Sequence, residues 1–178
     1  MEKKELELYI HIPFCVRKCN YCDFLSFPAD EDTQRQYVKA LCKEIFYYGA
    51  HCRDYVVSTV YIGGGTPSWL WESDMAEIMD AVHKNFALLP DAEVSVECNP
   101  GTVTAQKFAV YRQSGINRIS LGLQSAQNVE LKMLGRIHTW EQFLKTYELA
   151  RAGGFSNINV DLMLSLIHIS EPTRRRGI

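Results

Sequence analysis

The chain has 178 residues, 47% hydrophobic and 22% charged, with a formal net charge of -2. That length fits one domain or part of a larger one, and the composition is ordinary for a soluble globular protein. With no long basic run before the last few residues, the charge pattern excludes an electrostatic footprint for nucleic acid or an anionic membrane surface.

The N-terminus MEKKELELYIHI alternates charged and apolar residues and has no signal-peptide h-region. The apolar runs are too short to span a bilayer, so no transmembrane segment is expected and the reading is cytoplasmic. A first strand is expected over residues 9–12. A helix follows from 32 to about 48, with Val38, Leu41, Cys42, Ile45 and Tyr48 on one face. A second strand covers 56–62 and ends in three glycines. A second helix runs from 73 to about 86, with Met75, Ile78, Met79, Val82 and Phe86 as its apolar stripe. The third strand is 93–97. Thr104 caps a short third helix that stops at Gly115, a residue suited to the left-handed position after a helix. The fourth strand is 116–123. A fourth helical region spans about 126–152, and Thr139-Trp140-Glu141-Gln142 has capping-box spacing, so a break near His138 is expected. The fifth strand is 157–162. This βαβα alternation predicts an α/β fold with a parallel sheet and right-handed crossovers. In such sheets ligands bind at the C-terminal strand ends.

Six cysteines stand at positions 15, 19, 22, 42, 52 and 98. In a reducing compartment they are not expected to form disulfides. Cys42 and Cys52 fall in or near the first predicted helix, where a free cysteine is often a small buried apolar group. Cys15, Cys19 and Cys22 have the spacing C-x3-C-x2-C and need another account. Soft thiolates select zinc or iron–sulfur. A structural zinc site wants four protein ligands, usually as two C-x2-C-like pairs, and no second pair accompanies these three. In a [4Fe–4S] cubane, three thiolates satisfy three irons and leave the fourth open. An open iron can chelate the amino and carboxylate groups of S-adenosylmethionine (SAM). An electron from the cluster then breaks the sulfonium C–S bond and releases a 5′-deoxyadenosyl radical. On spacing alone, structural zinc and three unrelated cysteines stay open.

Further motifs stand at or beyond the C-terminal halves of the expected strands. Gly63-Gly64-Gly65-Thr66-Pro67 allows close backbone approach to a ligand, or is only a tight turn. Glu97 opens Glu97-Cys98-Asn99-Pro100-Gly101-Thr102; a carboxylate can accept two ribose hydroxyls, or be a plain surface charge. Gln124 ends the fourth strand and Asp161 lies in the fifth. Arg136 lies in Leu134-Gly135-Arg136-Ile137-His138, and a guanidinium is a natural partner for a carboxylate.

The stretch from Tyr9 through Cys22-Asp23-Phe24 closely resembles the radical SAM family of oxygen-independent coproporphyrinogen III oxidases and their relatives, the heme chaperones. The resemblance extends to about Met163, with its motifs in order. It implies a partial (βα)6 barrel of which about five units are present, with residues 1–163 as the core and a C-terminal domain missing. It implies a [4Fe–4S] cluster on Cys15, Cys19 and Cys22. It further implies SAM contacts from Tyr9, Tyr21, Gly64, Gly65, Thr66, Glu97, Gln124, Arg136 and Asp161, with Gly64, Gly65 and Thr66 at the amino group and Tyr21 at adenine. His11 would pack or hydrogen-bond beneath the cluster rather than ligate it.

The oxidase branch resembles C-x3-C-x2-C-x-C, whereas Cys22 here is followed by Asp23 and Phe24. This departure matches the chaperone branch, whose members bind heme and pass it to acceptor proteins. The heme-binding segment of that branch, HNxxYW, does not occur in these residues. Heme and its acceptors are therefore implied by the resemblance alone. The rival readings are the oxidase of porphyrin biosynthesis, a non-catalytic heme carrier and an inert fragment. After the fifth strand the family pattern stops, and LSLIHISEPTR resembles a translated sequencing-library adapter. Residues 164–178 are thus expected to be a non-native tail, in which His168 is no ligand and Arg174 to Arg176 no nucleic-acid patch.

Overall fold

Five strands pair in the order β1-β2-β3-β4-β5, and every pairing is parallel. The computed structural model describes residues 4–163; the expected tail lies outside the described residues. The strands are β1 (Lys4–Ile12), β2 (Tyr55–Gly64), β3 (Leu88–Cys98), β4 (Arg118–Gln124) and β5 (Asn157–Leu162). Helices α1 (Glu31–His51), α2 (Glu72–Asn85) and α3 (Ala105–Gln113) join the first four. Helices α4 (Asn128–Met133) and α5 (Trp140–Ala152) lie between β4 and β5. When strand order follows chain order, right-handed crossovers place all helices on one face of the sheet. This is the geometry of an open barrel rather than a doubly wound sheet.

That asymmetry explains the strand sequences. Ile10, Ile12, Val60, Ile62, Val96 and Leu121 are buried in one core with Val38, Ile78, Met79 and Phe108 of the helices. The alternate positions, pointing away from the helices, are Tyr61, Glu97, Ser120 and Asp161. The register pairs Tyr61 with Ser95, Glu97 with Ser120, and Gly122 with Asp161, so these positions share the other face.

Helix ends follow their capping chemistry. Asp30 accepts from Thr33 N–H at the start of α1, and Thr104 from Lys107 N–H at the start of α3. Gly115 sits at φ +88° after α3, as its type predicts. The Thr139–Gln142 capping box is present and begins α5, which splits the expected 126–152 region in two. Strand β1 starts five residues earlier than its sequence suggests (Lys4 rather than Tyr9). Lys4, Glu5 and Glu7 are exposed, so they carry no apolar signal and are held by pairing with β2. Tyr48, expected on the buried stripe of α1, is 53% exposed.

Ile62 is fully buried at the centre of this core. Ile62→Ala should lower unfolding free energy by about 2–5 kcal/mol through lost burial and the cavity left behind, measured by urea denaturation.

Candidate functional site

The C-terminal ends of the strands surround a cavity of about 340 Å³. Small-molecule sites span roughly 300–1,000 Å³. Cys15, Cys19, Cys22, Tyr21, Gly64, Gly65, Thr66, Glu97, Gln124, Arg136 and Asp161 all line it. Residues distant in sequence thus meet in one place. Tyr9 is the exception. It lies outside the lining, 60% exposed, with its ring stacked on Tyr61 at 6.2 Å. Its hydroxyl donates to His11 Nδ1 (3.1 Å), and His11 Nε2 donates to the Leu25 carbonyl (3.0 Å). His11 therefore ties down the end of the cysteine loop, and both of its ring nitrogens have partners.

The loop itself is docked on the turn after α4. Asn20 N–H donates to the Leu134 carbonyl (2.9 Å) and Asn20 Nδ2 to Met133 (2.9 Å), while Arg17 donates to Gly135 (2.8 Å). On the other side, Gly65 N–H donates to Ile12 (2.8 Å), Thr66 N–H to Phe14 (2.7 Å), and Cys15 N–H to Phe27 (3.1 Å). A Cβ on Gly65 would stand 2.7 Å from the Phe14 carbonyl and 2.9 Å from Cys15 Sγ. Glycine is what lets the end of β2 approach the first thiol. Since Gly64 N–H also donates, to Glu97 Oε2 (3.0 Å), the loop's N–H groups are spent. It offers carbonyl acceptors, which suit an ammonium group.

Glu97 accepts from both Tyr61 (2.8 Å) and Gly64. Burial pushes its carboxyl up, and these two donors pull it back. Asp161 accepts from Ser120 (3.0 Å) and Asn159 (2.7 Å). Gln124 adopts φ +73°, an uncommon conformation for a non-glycine residue, and such strain clusters at functional sites. Arg136 donates from Nη2 to Asn99 Oδ1 and the Gly122 carbonyl, both 2.7 Å, and from Nη1 to Cys19 Sγ at 3.6 Å. Its Nε is buried without a partner among the described residues.

Several lining residues escaped the sequence reading. Tyr61, Ser120 and Gly122 stand two or four residues before the motifs already noted, so strand alternation could have found them. Asn99, inside the Glu97 motif, links Thr66 to Arg136, and no local signal marked that role. Cys98 also borders the cavity, but burial holds its thiol protonated, up to about 12. Cys42 lies between α1 and α2, where its thiol donates to the Glu77 carbonyl, and Cys52 ends α1; all six cysteines are free.

The fold is a parallel α/β barrel type with a polar cavity at its strand ends, and the chain matches the Radical SAM superfamily over residues 9–175. The chain belongs to this superfamily. It is 43% identical over 162 residues to the heme chaperone HemW of Escherichia coli K12, covering 90% of this chain and 43% of that one. It is 36% identical over 161 residues to HemW of Bacillus subtilis 168, covering 89% and 42%. Thus the chain spans about two fifths of the length of these curated relatives. Its structure resembles that of the coproporphyrinogen III oxidase HemN of E. coli, with a TM-score of 0.83, 30% identity, and coverage of 90% of this chain and 37% of that one. It also resembles anSMEcpe with bound AdoMet, with a TM-score of 0.64, 14% identity, and coverage of 88% and 43%; this likeness shows the fold alone. Both bear out the expected α/β fold, of which the chain holds part of the HemN barrel. Among the described residues no helix is long and apolar enough to cross a membrane.

Cys15, Cys19 and Cys22 line one cavity, and thiolates are the ligand type of iron–sulfur clusters as well as of zinc.

Gly65→Ala should abolish iron loading while far-ultraviolet circular dichroism stays native, because the added methyl group meets Cys15 Sγ and the loop backbone. His138 is buried and held neutral, its imidazole pushed down to about 4 by burial and by Arg136. Below its ordinary value near 6.5 the unfolded chain takes up a proton that the folded chain refuses. Thermal stability should therefore fall as pH drops from about 6.5 towards 4. His138→Gln should flatten that part of the profile.

Proposed function

We propose that Cys15, Cys19 and Cys22 hold a [4Fe–4S] cluster at which the chain binds SAM, in a protein of the heme-chaperone type. The observation that carries this reading is one cavity that gathers the three clustered thiols, the Arg136 guanidinium and the carboxylates of Glu97 and Asp161. When bound, the cluster supplies the electron that cleaves the sulfonium C–S bond of SAM. Arg136 pairs with the SAM carboxylate. The carbonyl groups of Gly64, Gly65 and Thr66 accept from its ammonium. Each Glu97 oxygen keeps a lone pair for a ribose hydroxyl, since Tyr61 and Gly64 take one each. Gln124 and Asp161 complete the polar wall, and Tyr21 packs at adenine.

The chaperone branch is favoured by relatives named heme chaperones and by position 24. Phe24, 66% exposed, lines the cavity where the oxidase pattern carries a further cysteine. Heme and its acceptor proteins would engage parts of the longer relatives that these residues do not cover. The oxidase reading rests on the likeness to HemN.

Anaerobic reconstitution should give about four irons per chain. Alanine at Cys15, Cys19 or Cys22 should remove them, whereas alanine at Cys42 or Cys52 should not. Reduction with SAM present should release 5′-deoxyadenosine, and coproporphyrinogen should remain unconverted. Zinc in place of iron would overturn the cluster reading, and turnover of coproporphyrinogen would move the protein to the oxidase branch.

A further inference from the structure

Asn99 sits on no strand and was not among the expected contacts, yet its side chain lies between two of the three clustered thiols. Its backbone is fixed on both sides. Its N–H donates to Ser68 Oγ (3.1 Å), and its carbonyl accepts from Thr102 N–H (3.1 Å) and Thr102 Oγ1 (2.8 Å). Pro100 follows it and restricts it to extended conformations. The amide orientation is forced by chemistry. A guanidinium can only donate, so the oxygen of Asn99 must face Arg136 Nη2 (2.7 Å). The amide nitrogen then donates to Thr66 Oγ1 (2.9 Å). Because that oxygen is already accepting, its own proton is free to point at Cys15 Sγ, 3.5 Å away. At the other end, the same guanidinium reaches Cys19 Sγ from Nη1 at 3.6 Å. Gly122 leaves room for this bridge: a Cβ there would lie 2.9 Å from Asn99 Oδ1.

We propose that Asn99 is a positioning residue that aims one donor at each of two cluster thiolates, Thr66 O–H at Cys15 and the Arg136 guanidinium at Cys19. It thereby raises the cluster's reduction potential. This rests on the reading that the three cysteines hold the cluster. Reduction adds one electron and breaks no bond. The added negative charge spreads onto the sulfurs, so donors aimed at them stabilise the reduced form more than the oxidised form. Arg136 would then serve two ends, with Nη1 at a thiolate and its positive charge available to the ligand carboxylate.

The test is a dithionite titration of the reconstituted full chain without SAM, followed by the electron paramagnetic resonance signal of the reduced cluster. Asn99→Ala should make one-electron reduction about tenfold less favourable, a midpoint shift of about 59 mV to more negative potential. Thr66→Val should shift the midpoint in the same direction by less, and Thr66→Ser, which keeps the hydroxyl, should restore the wild-type value. A merely structural role would lower iron content without moving the midpoint of the clusters that remain. Wild-type midpoints in Asn99→Ala and Thr66→Val at full iron content overturn the proposal. If Asn99→Ala loses its iron, the Thr66 pair decides alone, and equal midpoints for valine and serine overturn it. Wild-type protein without a cluster signal overturns the parent reading, and this one with it.

Discussion

Residues 13–30 form no helix or strand of their own, yet they carry Cys15, Cys19 and Cys22. Backbone groups outside regular structure need partners elsewhere or contact with water. Here the partners come from two other parts of the chain. The end of β2 donates from Gly65 and Thr66 to the carbonyls of Ile12 and Phe14, and the turn after α4 offers the carbonyls of Met133, Leu134 and Gly135. The thiols are therefore placed by long-range contacts rather than by the loop's own conformation. Side-chain volume decides whether those contacts can form, which is why glycine stands at the point of closest approach. Gly135, at φ +75°, plays the same part on the opposite side: a Cβ there would stand 2.9 Å from Asn20 Oδ1.

The two faces of the sheet divide the work. Helices cover one face, and apolar alternate residues bury against them. Among the described residues the other face has no helix over it, so its side chains can be polar, but only where hydrogen bonds offset their partial desolvation. Glu97 is held by Tyr61 and Gly64, and Asp161 by Ser120 and Asn159. A network satisfied in this way also fixes side-chain directions before any ligand arrives. The same cross-strand pairs that stabilise the strand ends preorganise the cavity.

Local chemistry made much of this legible. The Thr139 box, the Thr104 cap and Gly115 each act within one helical turn, so a single sequence shows them. Strand β5 ends where its alternation ends. The approach of Gly65 to Cys15 and the docking of Asn20 on Met133 join residues far apart in the chain, and nothing near either one reports the other. For Tyr9 the family resemblance implied a SAM contact; the residue stands three residues before the end of β1, outside the cavity lining, with its ring stacked on Tyr61. Asn99 was hidden because its backbone conformation, set by Ser68, Thr102 and Pro100, is what turns its amide between Thr66 and Arg136.

The charge left over in the cavity narrows what can fill it. A buried guanidinium is costly unless its donors are met. Arg136 finds two carbonyl-type acceptors and a sulfur, while its Nε is orphaned among the described residues. Neither carboxylate of the cavity answers it, since Glu97 and Asp161 accept from other donors. An occupant must therefore bring negative charge to the thiol end, and hydroxyl or other donor groups to the strand-end carboxylates. A purely apolar occupant would leave both requirements unmet. Under the proposed reading, thiolates carrying a cluster, with a zwitterionic amino acid moiety beside them and a ribose further along the strand ends, would meet both. This complementarity comes from the side chains of this chain alone, and it agrees with the superfamily to which the chain belongs.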